Sequence, residues 1–357
     1  MRLSILIIVA AFTFIGCNQN ETDSQTETTS SIQTAVVEDV YQTPRDTLNN
    51  VDTPAIWHGP DDQHWLLATA KETDVILAYD ASNGEQLNVF AESGTGIGQL
   101  DRPNSIAVMD DYAIVVERNN HRVQVFSLPE FESLGYFGED ELEWPYGITV
   151  LRNSDDGYRL FITDNYETED EMVPPDSLLG RRVHEFTFSV TDNELSSQHV
   201  KAFGATSGSG VLKTVESLMA DEAYNRLLVA DEDSIQNNIK VYDLDGNFTG
   251  QIVGEGIFKY EPEGIALYSC DENSGYWLTT DQGEENNFFY VFDRKSLEHI
   301  ATFTNQRTLN TDGVVITQVS FPGFPDGGFF PIHNDGNVSA VSWGEIAEKL
   351  SLDVCMQ

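Results

Sequence analysis

Carboxylates stand at the ends of several short apolar runs in this chain, so strand ends would deliver them to a common rim. Leu227-Leu-Val-Ala230 runs into Asp231-Glu232-Asp233, Leu160-Phe-Ile-Thr163 into Asp164, Tyr276-Trp-Leu-Thr-Thr280 into Asp281, and Ala113-Ile-Val-Val116 into Glu117-Arg118. Carboxylates gathered in this way repel one another and have raised pKa values unless a cation neutralises them. Calcium takes roughly six to eight hard oxygen ligands, a set that Asp and Glu from different strand ends can supply. Such an ion would draw an anion into an otherwise repulsive cavity and activate a water. No covalent nucleophile is needed in that scheme, and the chain holds no Gly-x-Ser-x-Gly elbow and no phosphate-cradling glycine loop. His58, His64, His121, His184, His299 and His333 are scattered, with no metal-like i, i+4 pair.

The whole chain is acidic: 59 Asp and Glu against 19 Lys and Arg give a formal net charge of −40. Nucleic acid is excluded as a partner, since phosphate backbones require Lys/Arg clusters that are absent here. Spread over a surface, this charge serves solubility or a saline habitat. Concentrated in a cavity, it calls for metal ions.

The elements that would carry these groups repeat. Each unit has a Gly or Pro turn, an apolar strand ending in polar residues, and an alternating strand closing on an aromatic residue. The closing strands end at Tyr79, Phe126, Phe186, Tyr242, Phe292 and Trp343, spaced about 47 to 60 residues apart. Those aromatics and Trp57 read as core. Short strands punctuated by Asn-Gly, Asp-Gly and Glu-Gly turns argue for an all-β array rather than βαβ units. Six units of this size predict a six-bladed β-propeller, with strand ends around a central channel. The apolar runs that precede the closing strands are taken as inner strands, which makes the channel charged. Helical periodicity is confined to a short turn at 345–350.

The first residues form a secretory signal: Arg2, an apolar run over residues 5–15, and Gly16 before Cys17. That run is too short to span a bilayer. Phe14-Ile15-Gly16-Cys17 resembles the lipobox of bacterial lipoproteins, which implies a lipidated Cys17, export, and anchoring at the outer membrane, in the periplasm or at the cell surface. Ordinary signal cleavage is the alternative. Residues 18–48 are rich in Ser, Thr, Gln, Asn and Glu and read as a disordered tether. Residues 49–350 form the propeller, and 351–357 a C-terminal tail. Cys270 and Cys355 either pair as one disulfide or remain two buried thiols.

Gly98-Gln-Leu-Asp-Arg-Pro-Asn-Ser-Ile-Ala-Val108 with Glu117-Arg-Asn-Asn-His-Arg-Val-Gln-Val-Phe126 resembles an NHL-type propeller repeat over one blade. A wider resemblance spans about 300 residues. Asp52-Thr-Pro-Ala-Ile-Trp57, Lys71, Arg118, Pro145-Tyr146-Gly147, Glu216 with Ala230-Asp231-Glu232-Asp233, Glu261-Pro-Glu-Gly264, Gln282-Gly283, Thr311-Asp312-Gly313, Asn334-Asp335-Gly336 and Trp343-Gly-Glu-Ile-Ala347 are similar, in order, to β-propeller phytases. The resemblance implies a calcium-dependent phosphomonoesterase acting on phytate, the hexaphosphate of inositol, or on related esters. It implies catalytic roles for Tyr146, Glu216 and Glu232, and calcium ligation by Asp52, Glu216, Glu232, Glu263, Asp312 and Asp335. Lys71 and Arg118 match cations that hold substrate phosphates. A monomer is expected, with membrane contact only through the lipid.

Three positions depart from the family pattern. Lys71-Glu72 stands where lysines are paired, Thr163-Asp164-Asn165-Tyr166 lacks a further lysine, and Asp52-Thr53 replaces paired aspartates. Duller accounts exist for the same residues: Glu263 and Asp312 as turn residues before glycine, Glu232 as a solvated strand end, Lys71 as a surface group. A non-catalytic NHL-type binding propeller and a calcium-dependent lactonase or esterase are the competing functional readings.

Overall fold

Alternation of apolar and polar residues drives each repeat into antiparallel sheet, and the radial arrangement follows from the need to bury both faces of every sheet against its neighbours. A computed structural model describes residues 32–153 and 157–355. The signal and lipidation site proposed at residues 1–17 lie outside the described residues. Six sheets are arranged as the blades of a β-propeller. The innermost strands are Val51–His58, Pro103–Met109, Pro145–Arg152, Val215–Asp221, Glu261–Ser269 and Val314–Thr317. They border a central cavity of about 270 Å³.

The apolar runs taken as inner strands are the second strands of their blades: Tyr112–Glu117, Tyr158–Asp164, Arg226–Asp231 and Gly275–Gln282 each pair with an innermost strand on one side and a closing strand on the other. The reason for the correction is packing. Mid-blade strands are covered on both faces and so carry the most continuous apolar sequence. The closing strands fall where alternation places them, third in each blade, and Tyr79, Phe126, Phe186, Tyr242 and Phe292 are buried between blades. Trp57 packs with Leu67, Ala78, Val115 and Phe126 in one such interface.

Residues 33–42, expected to belong to a disordered tether, carry two strands instead. Gln33–Val37 pairs in parallel with His299–Asn305 at the edge of the fifth blade. Tyr41–Gln42 then supplies the outer strand of the sixth blade against Asn337–Ser342, closing the ring with the N-terminal chain. Val37 is buried, and the Tyr41 hydroxyl donates to the Ala81 carbonyl at 2.6 Å. A few alternating apolar residues inside a polar stretch are enough to occupy an open sheet edge.

The helical turn is a helix, Trp343–Leu350, burying Trp343, Ile346, Ala347 and Leu350. The tail that follows is fastened. Cys355 is disulfide-bonded to Cys270, its backbone N–H donates to the Tyr268 hydroxyl, and the Trp343 indole donates to the Asp353 carbonyl at 3.2 Å. Among the described residues, no helix is long and apolar enough to cross a membrane.

Candidate active site

The site is built from one repeated irregularity. In five blades the innermost strand begins with a ladder pair and then carries an extra residue before pairing resumes: after Val51, Pro103, Pro145, Val215 and Pro262, opposite Ala70, Glu117, Asp164, Asp231 and Asp281. A bulge of this kind frees a side chain from the ladder and re-aims it. The residues in that slot are Asp52, Asn104, Tyr146, Glu216 and Glu263. In the sixth blade Asp312 holds the corresponding place: the Gly264 N–H donates to its carbonyl at 2.8 Å, and the Gly313 N–H donates to the Asp52 carbonyl at 3.0 Å. A ring of six residues, one per blade, thus surrounds one end of the channel.

The glycines after Tyr146, Glu263 and Asp312 exist for this close approach. A Cβ on Gly147 would meet the Glu216 carbonyl at 2.1 Å, one on Gly264 the Asp312 carbonyl at 2.7 Å, and one on Gly313 the Asp52 carbonyl at 2.6 Å. None of the three has a positive φ. Glu263 and Asp312 are therefore not turn residues. Glu263 lies in the start of its strand and Asp312 two residues before Val314–Thr317, both pressed against the next blade.

A second tier comes from the antiparallel second strands, which end at the same mouth. The residue just past each strand's last ladder position is Lys71, Arg118, Asn165, Glu232 or Asn334, and in the fifth blade the last ladder residue itself, Gln282, takes the equivalent place after Asp281. The acidic residues one place earlier have another duty. Asp164 accepts from the backbone N–H groups of Glu143 (2.9 Å) and Trp144 (2.6 Å), Asp231 from Lys213 and Thr214, Asp281 from Lys259 and Tyr260, and Glu117 from Asp101. His333 does the same for Leu309. These side chains latch the entering loop of each blade, satisfying buried amides. The repeated acidic strand ends are structural, and the charge of the channel mouth comes from Asp52, Glu216, Glu263 and Asp312 of the ring with Lys71, Arg118 and Glu232 of the second tier.

Glu216, Glu232 and Glu263 bring carboxylate oxygens within 4.8 Å of one another. Burial, then the Asp52 charge, raises the Glu216 pKa from 4.5 to about 7. Burial followed by neighbouring carboxylates pushes Glu232, Glu263 and Asp312 well above the ordinary carboxylate range. Glu232 Oε1 and Asp312 Oδ2 are buried without a hydrogen-bond partner, while Asp312 Oδ1 accepts from Gln282 Nε2 at 3.1 Å. Orphaned carboxylate oxygens beside a like-charged cluster fit a hard divalent cation.

Across the ring, Lys71 Nζ lies 2.5 Å from Asp52 Oδ2 and donates to the Tyr146 hydroxyl at 3.2 Å, and that hydroxyl donates to Asp52 at 3.1 Å. Burial alone would lower the Lys71 pKa; Asp52, Asp312 and Glu216 outweigh it and hold the ammonium above its usual value. Burial and the same carboxylates keep Tyr146 a neutral phenol. Lys71 is only 8% exposed and is not a surface group. Arg118 stays at the rim, its guanidinium 4.1 Å from the Trp144 ring centroid and paired with no carboxylate among the described residues. Asp335 also stands outside the glutamate cluster, accepting weakly from Asn310 Nδ2 at 3.4 Å, although its charge contributes to the raised pKa of Asp312.

Among the described residues, the groups nearest in sequence to the missing cations are engaged elsewhere. Asn165 turns its Oδ1 to the Val215 N–H, Glu72 pairs with Arg102 at 2.7 Å, Arg181 pairs with Glu143 at 2.6 Å, and buried Arg182 donates to the carbonyls of Asp164 and Tyr166. Asn104 is the ring member that a search for charged motifs passes over. Its signal is the shared Pro-x start, Pro103-Asn104 beside Pro145-Tyr146 and Pro262-Glu263.

A family model described as phytase matches residues 192–351, which carry Glu216, Glu232, Glu263, Asp312 and Asp335. The 3-phytase of Bacillus subtilis (strain 168) is 27% identical over 308 residues, 78% of this chain and 70% of that protein. Over these segments the chain is similar to phytases. Glu216, Glu232, Glu263 and Asp312 lie within the matched segment, whereas Asp52, Lys71, Arg118 and Tyr146 precede it. Hydrazine synthase of Kuenenia stuttgartiensis shares the fold alone, with a TM-score of 0.50 at 10% identity over 87% of this chain and 81% of that one. The family model and the 3-phytase both suggest a phosphatase-type hydrolase.

Proposed function

We propose that this protein is a calcium-dependent phosphomonoester hydrolase acting on phytate or related phosphate esters at the acidic mouth of the channel. The observation that carries the reading is the opposition of two halves of one ring: Glu216, Glu232, Glu263 and Asp312 on one side, Lys71 and Tyr146 with Asp52 on the other. Metal-free, the acidic half repels a phosphate. Calcium held by Glu216, Glu232 and Glu263, with Asp52 and Asp312 beside them, would supply charge neutralisation and an activated water.

The chain's own groups divide the remaining work. Lys71 presents a permanent ammonium to a non-bridging phosphate oxygen, and Arg118 offers a planar guanidinium at the rim, fixed by stacking on Trp144. The neutral Tyr146 phenol is a hydrogen-bond donor beside Lys71, suited to hold a phosphoryl oxygen. Blade backbones pressed together at Gly147, Gly264 and Gly313 keep the ring rigid, so the oxygens need little reorganisation during the reaction. With Asn165 and Glu72 committed elsewhere, the mouth offers two substrate cations, which favours esters with few phosphates over tight binding of all six. The test is release of phosphate from phytate and from simpler monoesters with and without calcium. The signal-like N-terminal residues support a further part of the reading, export and anchoring through lipid on Cys17.

A further inference from the structure

Two cavities flank the mouth, and they differ in charge. One, of about 450 Å³, lies beside the second and third blades and is lined by Arg102, Arg118, Asn119, His121 and Trp144, with no carboxylate. The other, of about 570 Å³, lies beside the acidic half of the ring, among the loops that follow the second strands of the fourth and fifth blades and those that enter the fifth and sixth. Its lining mixes three carboxylates (Glu261, Glu284, Glu285) and one ammonium (Lys259) with neutral amides such as Gln282 and Asn310. Gln282 Nε2 also donates to Asp312 Oδ1 at 3.1 Å, so this cavity shares a wall with the ring. Tyr260 gives it an aromatic platform: a Cβ on Gly283 would meet the tyrosine ring at 2.8 Å, so the ring rests on that glycine, while 37% of the residue stays exposed. Lys259 Nζ stands 4.3 Å from the Phe288 ring centroid. Among the described residues, the side chains of Lys259, Tyr260, Glu261, Glu284 and Glu285 make no hydrogen bond or ion pair.

We propose that this second cavity is the subsite for the alcohol part of the substrate, and that it takes a neutral polyhydroxylated group such as a sugar ring. The inference rests on the phosphomonoesterase reading above and names the substrate class of that same site. Each hydroxyl of such a group both donates and accepts, so it can donate to Glu261, Glu284 or Glu285 and accept from Lys259 or an amide N–H. The tyrosine ring, apolar on its face and polar at its tip, covers the carbon skeleton. Other occupants fit worse. A further phosphate is repelled by the three carboxylates, an ammonium by Lys259, and an alkyl chain finds no apolar wall apart from Tyr260 and leaves the polar groups unpaired. The substrate therefore carries its hydroxyls toward the fourth and fifth blades, with any second anionic group toward Arg118.

The experiment measures the Michaelis constant and kcat of the full calcium-loaded chain on glucose 6-phosphate, butyl phosphate and O-phosphoethanolamine. The wild type should show a Michaelis constant for glucose 6-phosphate about fivefold or more below those of the other two. Tyr260→Ala, and separately the double variant Glu284→Gln with Glu285→Gln, should raise the glucose 6-phosphate value roughly tenfold and leave kcat and the butyl phosphate value within about twofold. These side chains are unpaired, so the melting temperatures should match the wild type. Equal Michaelis constants for glucose 6-phosphate and butyl phosphate in the wild type overturn the proposal, as does a preference for O-phosphoethanolamine, which would make the cavity a cation site. Variants that leave the glucose 6-phosphate value unchanged, or that shift both substrates alike, overturn it too. In each of these cases the parent reading stands, because the monoesters are still hydrolysed. A folded wild type that hydrolyses none of the three overturns the parent reading, and this one with it.

Discussion

Lys71 Nζ and Asp52 Oδ2 lie 2.5 Å apart, both almost fully buried, at the start of the first blade where the innermost and second strands meet. The pair stands in the half of the ring opposite the glutamates, where Asp312 and Glu216 also act on the Lys71 charge. Breaking a buried pair leaves the survivor's charge uncompensated, so each partner constrains the other. In a site with calcium, the Asp52 charge has a second cation to face, and the Lys71 ammonium has an anion to hold.

Lys71→Met preserves the apolar stem and removes the charge. We expect the Michaelis constant for phosphate monoesters to rise by roughly thirty-fold, corresponding to about 2 kcal/mol for one charge-assisted hydrogen bond, with a smaller change in kcat. Steady-state kinetics at saturating calcium measure it. An unchanged Michaelis constant would remove Lys71 from the substrate-binding set.

Glu232→Gln deletes one charge from the cluster and keeps its shape. In chelator, this variant should melt above the wild type, because it relieves repulsion against Glu216 and Asp312. In calcium the order should reverse, since binding to the native state stabilises it by mass action and the variant has lost a ligand. Turnover should fall on the order of a hundredfold or more. Melting curves in both conditions give the stability half of the test, and identical curves for the two proteins contradict it.

The raised carboxylate pKa values give the calcium-free protein a pH dependence with a definite sign. Glu216 titrates near 4.5 when unfolded and about 7 when folded, so between these values the native state binds more protons than the unfolded state. Stability of the chelated protein should therefore be highest at low pH within this window and fall as pH rises from about 4.5 to 7. Glu232, Glu263 and Asp312, shifted in the same direction, extend the loss upward. Calcium should flatten the profile. Denaturant midpoints across that range, with chelator and with calcium, would show it, and a chelated protein that gains stability over the window would contradict the site electrostatics.

The proposed lipid anchor is tested in the native host or a bacterial surrogate. Cys17→Ser should move the protein from the membrane pellet to the soluble exported fraction. Wild-type protein already in the soluble fraction would refute the anchor without touching the catalytic account.

Much of this organisation was legible in the sequence. Alternation ending on Tyr79, Phe126, Phe186, Tyr242 and Phe292 marks strands buried between blades, because such positions must be apolar on one face and large at the end. The channel-lining strands are less legible. They are bulged, carry small residues and show no clean period, so the more continuous second strands stood in for them. Asp164, Asp231 and Asp281 show why composition misleads: the same residue type one place before Glu232 or Gln282 serves a backbone amide instead of the channel. Asn104 left no charge to notice, and only the register of its blade identifies its slot. Gln33–Val37 vanished into a polar stretch because its role depends on an open edge contributed some 270 residues later.

The most direct test of the account is phosphate release from phytate and from a simple monoester by the folded protein, titrated with calcium after exhaustive chelation. The account predicts no release in chelator and release that saturates with calcium, with the simple monoester competing well against phytate because only Lys71 and Arg118 serve as substrate cations. Protein shown to be folded that releases no phosphate from either substrate at any calcium concentration would contradict it.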